Sequence, residues 1–181
     1  MRHALGAVAL LVLTAGVASA ASEPGWNLFR QDQASPRDAV TRAIRTNVNV
    51  GAVVLTCERG VVQLQLHPST DGPLLPAGAS REQMKDAPRA DLTIDGRSFP
   101  VAIGFSDEHA VVSDSGERRF AALSAGLLDA LEAGRTLELR LDLVREAAGE
   151  PASFDGDLRL DLQAGAGSTA LASVRRDCRG R

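Results

Sequence analysis

Tyrosine is absent from this 181-residue chain, Trp26 is its single tryptophan and Lys85 its single lysine. Aromatic residues make up 3% of it, so the stacking platform that sugar and single-strand binders present is nearly bare. Twenty basic residues stand against 23 acidic ones. That balance lacks the electrostatic footprint of a nucleic-acid binder, and no nucleic acid is expected as a partner. Neither His-x-x-x-His nor a paired Cys/His spacing occurs, so no metal centre and no cofactor is expected. A Gly-x-Ser-x-Gly nucleophile turn is also missing. Beyond the first twenty residues no apolar run approaches the ~20 residues of a membrane span.

What is there begins with an export signal. Arg2 and His3 form a short basic start, Ala4 to Val17 an apolar run, and Ala18-Ser19-Ala20 a small-residue cleavage site. Residues 1–20 therefore read as a secretory signal peptide, cut after Ala20 with Ala21 as the near alternative. The expectation is a single exported domain, residues 21–181, periplasmic or secreted, without stable membrane insertion once the signal is removed.

Cys57 and Cys178 are the only cysteines. In an oxidising compartment such a pair is expected to be joined. Both fall on apolar faces. Val53, Leu55 and Cys57 alternate along a strand, while Leu171, Val174 and Cys178 follow helical spacing. A structural disulfide is the expectation, and closing so long a loop contributes about 4–5 kcal/mol in the chain-entropy model.

The rest of the pattern is dominated by strands. Residues 26–29 read as a short strand or an anchoring segment. Ser35-Pro36 opens what reads as a helix with Val40, Ala43 and Ile44 as its stripe. Residues 52–57 and 61–67 form a hairpin about Glu58-Arg59-Gly60. Pro, Gly and charge break residues 68–88 into a long loop. Alternation returns at 90–94, a tight turn at Asp95-Gly96, and every second position from Phe99 to Phe105 is apolar, with Pro100 suggesting an edge or a strand start. A short strand at 110–113 and a helix from Ser124 to Gly134 follow. Clean alternating strands run over 137–143 and 158–162, and a closing helix covers 168–178. The fold class is α+β, mainly β: an antiparallel sheet or sandwich of about six to seven strands with two to three packed helices.

The order of these features resembles a group of small exported proteins. An early tryptophan, Leu55-Thr56-Cys57 on a strand, Ile94-Asp95 before a turn, a leucine-rich helix at 127–131, Phe154 before a strand and a terminal helix ending in Cys178 are shared. Phe99 stands near where the family carries a second tryptophan, and Phe154 is followed by Asp157-Leu158 rather than by the glycine of the family's Phe-x-x-x-Gly step. The likeness is to periplasmic proteins associated with type VI secretion (the TagO/VasI type), and more loosely to the invasion-associated locus B family. It implies a non-enzymatic accessory protein whose partner is an envelope or secretion-system protein.

Few residues suggest chemistry of their own. Asp107-Glu108-His109 is the densest cluster of ligands or proton carriers, but consecutive turn residues diverge and suit a solvated turn better. It supports one alternative, a hydrolase or metalloprotein centred there. Another alternative, an exported inhibitor of a cell-wall hydrolase, would use the 68–88 loop. His67 sits on the polar side of its strand beside Gln63 and Gln65. Asp155-Gly156-Asp157 suits a turn better than a calcium loop, and Gly165-Ala166-Gly167-Ser168 a connection better than a phosphate cradle. Glu138, Arg140, Asp142, Arg159 and Asp161 read as an outward, solvated face. Trp26 is a candidate partner contact, although pinning the N-terminal segment to the core is the plainer role.

Overall fold

The computed structural model describes residues 25–30, 37–70, 72–106, 109–114, 116 and 121–179. The signal-peptide reading of residues 1–20 lies outside these, as do Ser35, Pro36, Asp107 and Glu108.

The strands are β1 (Asn27–Phe29), β2 (Asp38–Thr41), β3 (Arg45–Thr46), β4 (Ala52–Glu58), β5 (Val61–His67), β6 (Met84–Ile94), β7 (Arg97–Phe105), β8 (Ala110–Asp114), β9 (Thr136–Val144) and β10 (Gly156–Asp161). All ten belong to one antiparallel sheet in the order β1-β2-β4-β5-β8-β7-β6-β9-β10-β3. A single curled sheet replaces the alternative of a sandwich, and ten strands replace the expected six or seven. The curl follows from chain length. Only residues 42–44 join β2, near one end of the order, to β3 at the other, and three residues reach about 10–14 Å. The two ends must therefore meet. There Trp26 N–H donates to Ala164 O at 3.0 Å and Ala166 N–H to Trp26 O at 2.8 Å.

Alternation decides which side chains enter the curl. Leu137, Leu139, Leu141 and Leu143 of β9 are fully buried, as are Leu158 and Leu160 of β10. Each such leucine contributes roughly 1.5–3 kcal/mol of burial. Helix α1 (Ala125–Ala133) inserts Leu127, Leu128 and Leu131, and α2 (Gly167–Arg179) inserts Ala170, Leu171, Val174 and Cys178. The two helices contact each other, and Arg175 on α2 pairs with Asp129 and Glu132 on α1. Helix α2 lies against β1, β2, β4 and β5, which brings Cys178 to Cys57. The sulfurs are bonded, with Cα atoms 5.4 Å apart across 121 residues of sequence.

Local chemistry sets the punctuation. Ser124 caps α1, its side chain accepting from Leu127 N–H. Gly134 ends the helix with φ −73°. It is required for space rather than for a left-handed turn, because a Cβ there would run into Ile94 and lie 2.7 Å from Ala130 O. Asp95 and Gly96 both have positive φ, 49° and 82°, as a two-residue hairpin turn requires. The pairs then alternate from Ile94–Arg97, so Pro100 opposite Asp91 falls at a non-hydrogen-bonded position facing β6. Pairing with β8 starts only at Val101. Pro100 thus sits inside β7 without leaving a ladder bond unmade.

Two segment readings are corrected. The stretch from Asp38 is strand, not helix: Ala39 and Thr41 are buried in alternation, and pairing with β4 outweighs the weak helical stripe. Ile44 of that supposed stripe is 60% exposed. The 68–88 loop is shorter than expected. It ends in a one-turn 3-10 helix at Arg81–Gln83, and β6 already begins at Met84. Five residues of β6, from Met84 to Arg89, advance against two of β9. That irregularity accommodates Pro88 and broke the alternation that would have revealed the strand.

Candidate functional site

Hairpin β4–β5 and strand β8 bring together the two histidines found beyond residue 20. Leu66 pairs with Ala110, so the next step of the antiparallel register sets His67 opposite His109. Their rings stack, with centroids 5.0 Å apart and planes 21° from parallel. Both are partly buried. Gln65, itself buried, donates through Nε2 to Glu58 Oε1 at 3.1 Å and to Gln63 Oε1 at 3.2 Å. Its Oε1 meets His67 Nε2 at 3.0 Å. A carboxylate only accepts, so the amide orientation is set and His67 Nε2 carries the proton. His109 is held by its backbone: Ser106 N–H donates to His109 O at 2.9 Å, and His109 N–H to Ser106 Oγ at 3.1 Å.

Beside the pair lies a cleft of about 480 Å³. Pro68, Pro73, Leu74, Met84 and Phe105 give it apolar walls, and Arg81, Ser106 and His109 polar ones. Its roof, residues 68–80, is anchored. Leu74 and Leu75 are buried, Asn49 N–H donates to Leu75 O at 3.0 Å, and Val48 bridges Pro76. Gly51 lets the loop start close in, since a Cβ there would lie 2.7 Å from Ser69 Cα. The pattern concealed these anchors because two adjacent leucines between prolines carry no period.

A second opening, about 800 Å³, lies where the sheet ends meet, lined among others by Asn27, Val40, Thr41 and Ala164. Exposed Phe29 and Ile44 stand in its lining. Its polar groups are Asn27, Thr41, Arg42 and Asp161, and neither histidine is among them.

A charged cluster on the outer sheet face is structural. Asp142 is fully buried, not outward and solvated as its alternation suggested. Lys85 bonds both Asp142 and Glu146, and Arg89 Nε donates to Asp142 at 2.7 Å. Lys85 holds the Glu146 carboxyl far down, to about 2, helped by backbone donors including Ser153. Burial pulls the Lys85 ammonium down, but the two carboxylates outweigh it and raise it above the ordinary value. A lysine held cationic in this way is no nucleophile. Arg140 lies over the Phe154 ring at 4.5 Å, and Arg159 reaches Glu138 across the strands at 3.6 Å.

The remaining sequence candidates serve the fold. Trp26 is fully buried beside Gly165, so its indole is not a surface contact for a partner. Asp155 accepts from Leu143 and Val144 N–H, the latter at 2.7 Å, and closes the turn before β10. Asp95 accepts from Arg135 and Thr136 N–H, which lowers its carboxyl below the ordinary range. Gly165 and Gly167 have positive φ, 64° and 43°, where the chain enters α2. Of the 107–109 cluster, Asp107 and Glu108 lie outside the described residues. Among the described residues no three His, Cys, Asp or Glu side chains converge as a metal site, and no helix is long and apolar enough to cross a membrane. No family model, no curated protein and no solved structure matches this chain.

Proposed function

We propose that this chain is a non-enzymatic binding protein of the bacterial envelope, exported to the periplasm or beyond, where it serves as an accessory to a secretion or envelope assembly. The observation that carries the reading is the cleft beneath the 68–80 loop. Apolar walls with a few convergent polar groups are the usual make-up of a recognition site, and its roof is a loop held at both ends by the scaffold. The leader-like first twenty residues, the disulfide and the order of features shared with the type VI secretion-associated proteins support the same setting.

The test is a photo-crosslinking residue at Phe105, which is exposed in the cleft lining, with Arg59 in the β4–β5 turn as the control position. Irradiation of intact host cells followed by mass spectrometry is expected to join an envelope protein to position 105 and not to 59. Equal labelling at both, or none at 105, refutes the assignment.

A further inference from the structure

We propose that the cleft beneath the 68–80 loop takes its partner as an extended, acidic peptide segment that adds a strand to β7. The inference rests on the binding role proposed above and specifies the form of the bound segment. Main-chain N–H and C=O groups of alternate residues in an antiparallel strand point to the same side. Ser106 N–H donates to His109 O, toward β8, so those of Ile103 and Phe105 face the other side, toward β6. There β6 supplies no ladder partner for either. The β6–β7 pairing stops at Ala90–Val101, and two further steps of that register set Pro88 opposite Ile103. Proline has no N–H to give, and between Met84 and Arg89 the strand bulges instead. β7 therefore ends in an open ladder edge, which is the kind of edge that accepts an added strand.

That edge runs into the cleft. Met84 at the start of β6 and Phe105 at the end of β7 both line it, so it lies where the two strands part. A peptide residue opposite Ile103 or Phe105 exchanges two main-chain bonds with it. Alternate side chains of the peptide then share one face, on which Leu74, Met84 and Phe105 receive an apolar group. Charge selects the rest. Arg81 is exposed and enters none of the described ion pairs. No carboxylate is among the described residues that line the cleft with it. An acidic residue of the peptide supplies the missing counter-charge, because the guanidinium fork matches a carboxylate in geometry as well as in sign.

The experiment pans the tag-free full chain against a phage-displayed library of random linear peptides and synthesises the enriched sequences. These are expected to carry an acidic residue beside alternating apolar positions. On binding, hydrogen exchange at the Ile103 and Phe105 amides should slow, as read by nuclear magnetic resonance. Methylating the peptide's backbone nitrogens one at a time should abolish binding at alternate positions only, since only those N–H groups face β7. Arg81→Glu should weaken binding by about 10-fold or more, and Arg59→Glu should leave it unchanged. A library that yields no binder overturns the proposal. So do peptides indifferent to N-methylation, peptides that leave both amides exchanging as before, and an affinity that Arg81→Glu does not change. Each of those results leaves a crosslink from position 105 to an envelope protein standing, so failure of the strand addition is distinguished from failure of the binding role.

Discussion

Removing the Cys57–Cys178 bond should lower stability by an amount set by the unfolded chain rather than by contacts in the folded one. The bond closes a loop of 121 residues, and the chain-entropy relation gives about 5 kcal/mol for that length at 25 °C. For a chain of this size each kcal/mol moves the melting midpoint by roughly 2–4 °C, so the expected fall is about 10–20 °C. Guanidinium unfolding followed by Trp26 fluorescence reads it directly, since Trp26 is the only tryptophan and is fully buried. Oxidised protein is compared with reduced protein and with the Cys57→Ala/Cys178→Ala double variant. The dependence on denaturant should also steepen without the bond, because an unlinked unfolded chain exposes more surface. A loss below about 1 kcal/mol with an unchanged slope would refute the chain-entropy reasoning.

Further outcomes follow from single residues. Asp142→Ala leaves Lys85 and Arg89 without their shared buried acceptor, and urea unfolding should show a loss of about 3 kcal/mol. The Glu146 carboxyl, lowered to about 2 from its ordinary 4.5, contributes stability that is complete above pH 4.5 and is lost as pH falls through about 2. Urea midpoints for Glu146→Gln should accordingly vary less across that acid range than those of the unaltered chain. Ser124→Ala removes the α1 cap and should cost about 1 kcal/mol, seen as a lower thermal midpoint. Gly134→Ala forces a Cβ against Ile94 and Ala130 O. Chemical denaturation should show about 1–3 kcal/mol of destabilisation from that crowding.

The leucine ladders at 137–143 and 158–162, the 52–67 hairpin, the Asp95-Gly96 turn, both helices and the cysteine pairing were legible in the residues alone. Each is a local or strictly periodic signal, and period 2 or 3.6 declares the inward face before any partner is known. The segment at 38–41 was misread because a four-residue strand carries too little period to outvote capping residues, and only pairing with β4 decides it. The strand portion at 84–89 was hidden by Lys85, Asp86 and Pro88, residues tolerated there because the ladder is irregular at that point.

Register is a property of two strands at once, and no single stretch of chain contains it. Alternation put His67 on the polar side of β5, but that side became a site only when the antiparallel step from Leu66–Ala110 set His109 against it. Asp142 likewise alternates outward in the sequence and is buried in the fold, because Lys85 and Arg89 are carried over it by the neighbouring strand. The sequence by itself determined which faces are apolar, where the chain turns and which thiols point inward, since these depend on neighbours a few residues away. Only the tertiary structure decided the closure of the sheet, the pairing of the histidines and the burial of the acid, because each depends on groups at least 40 residues apart.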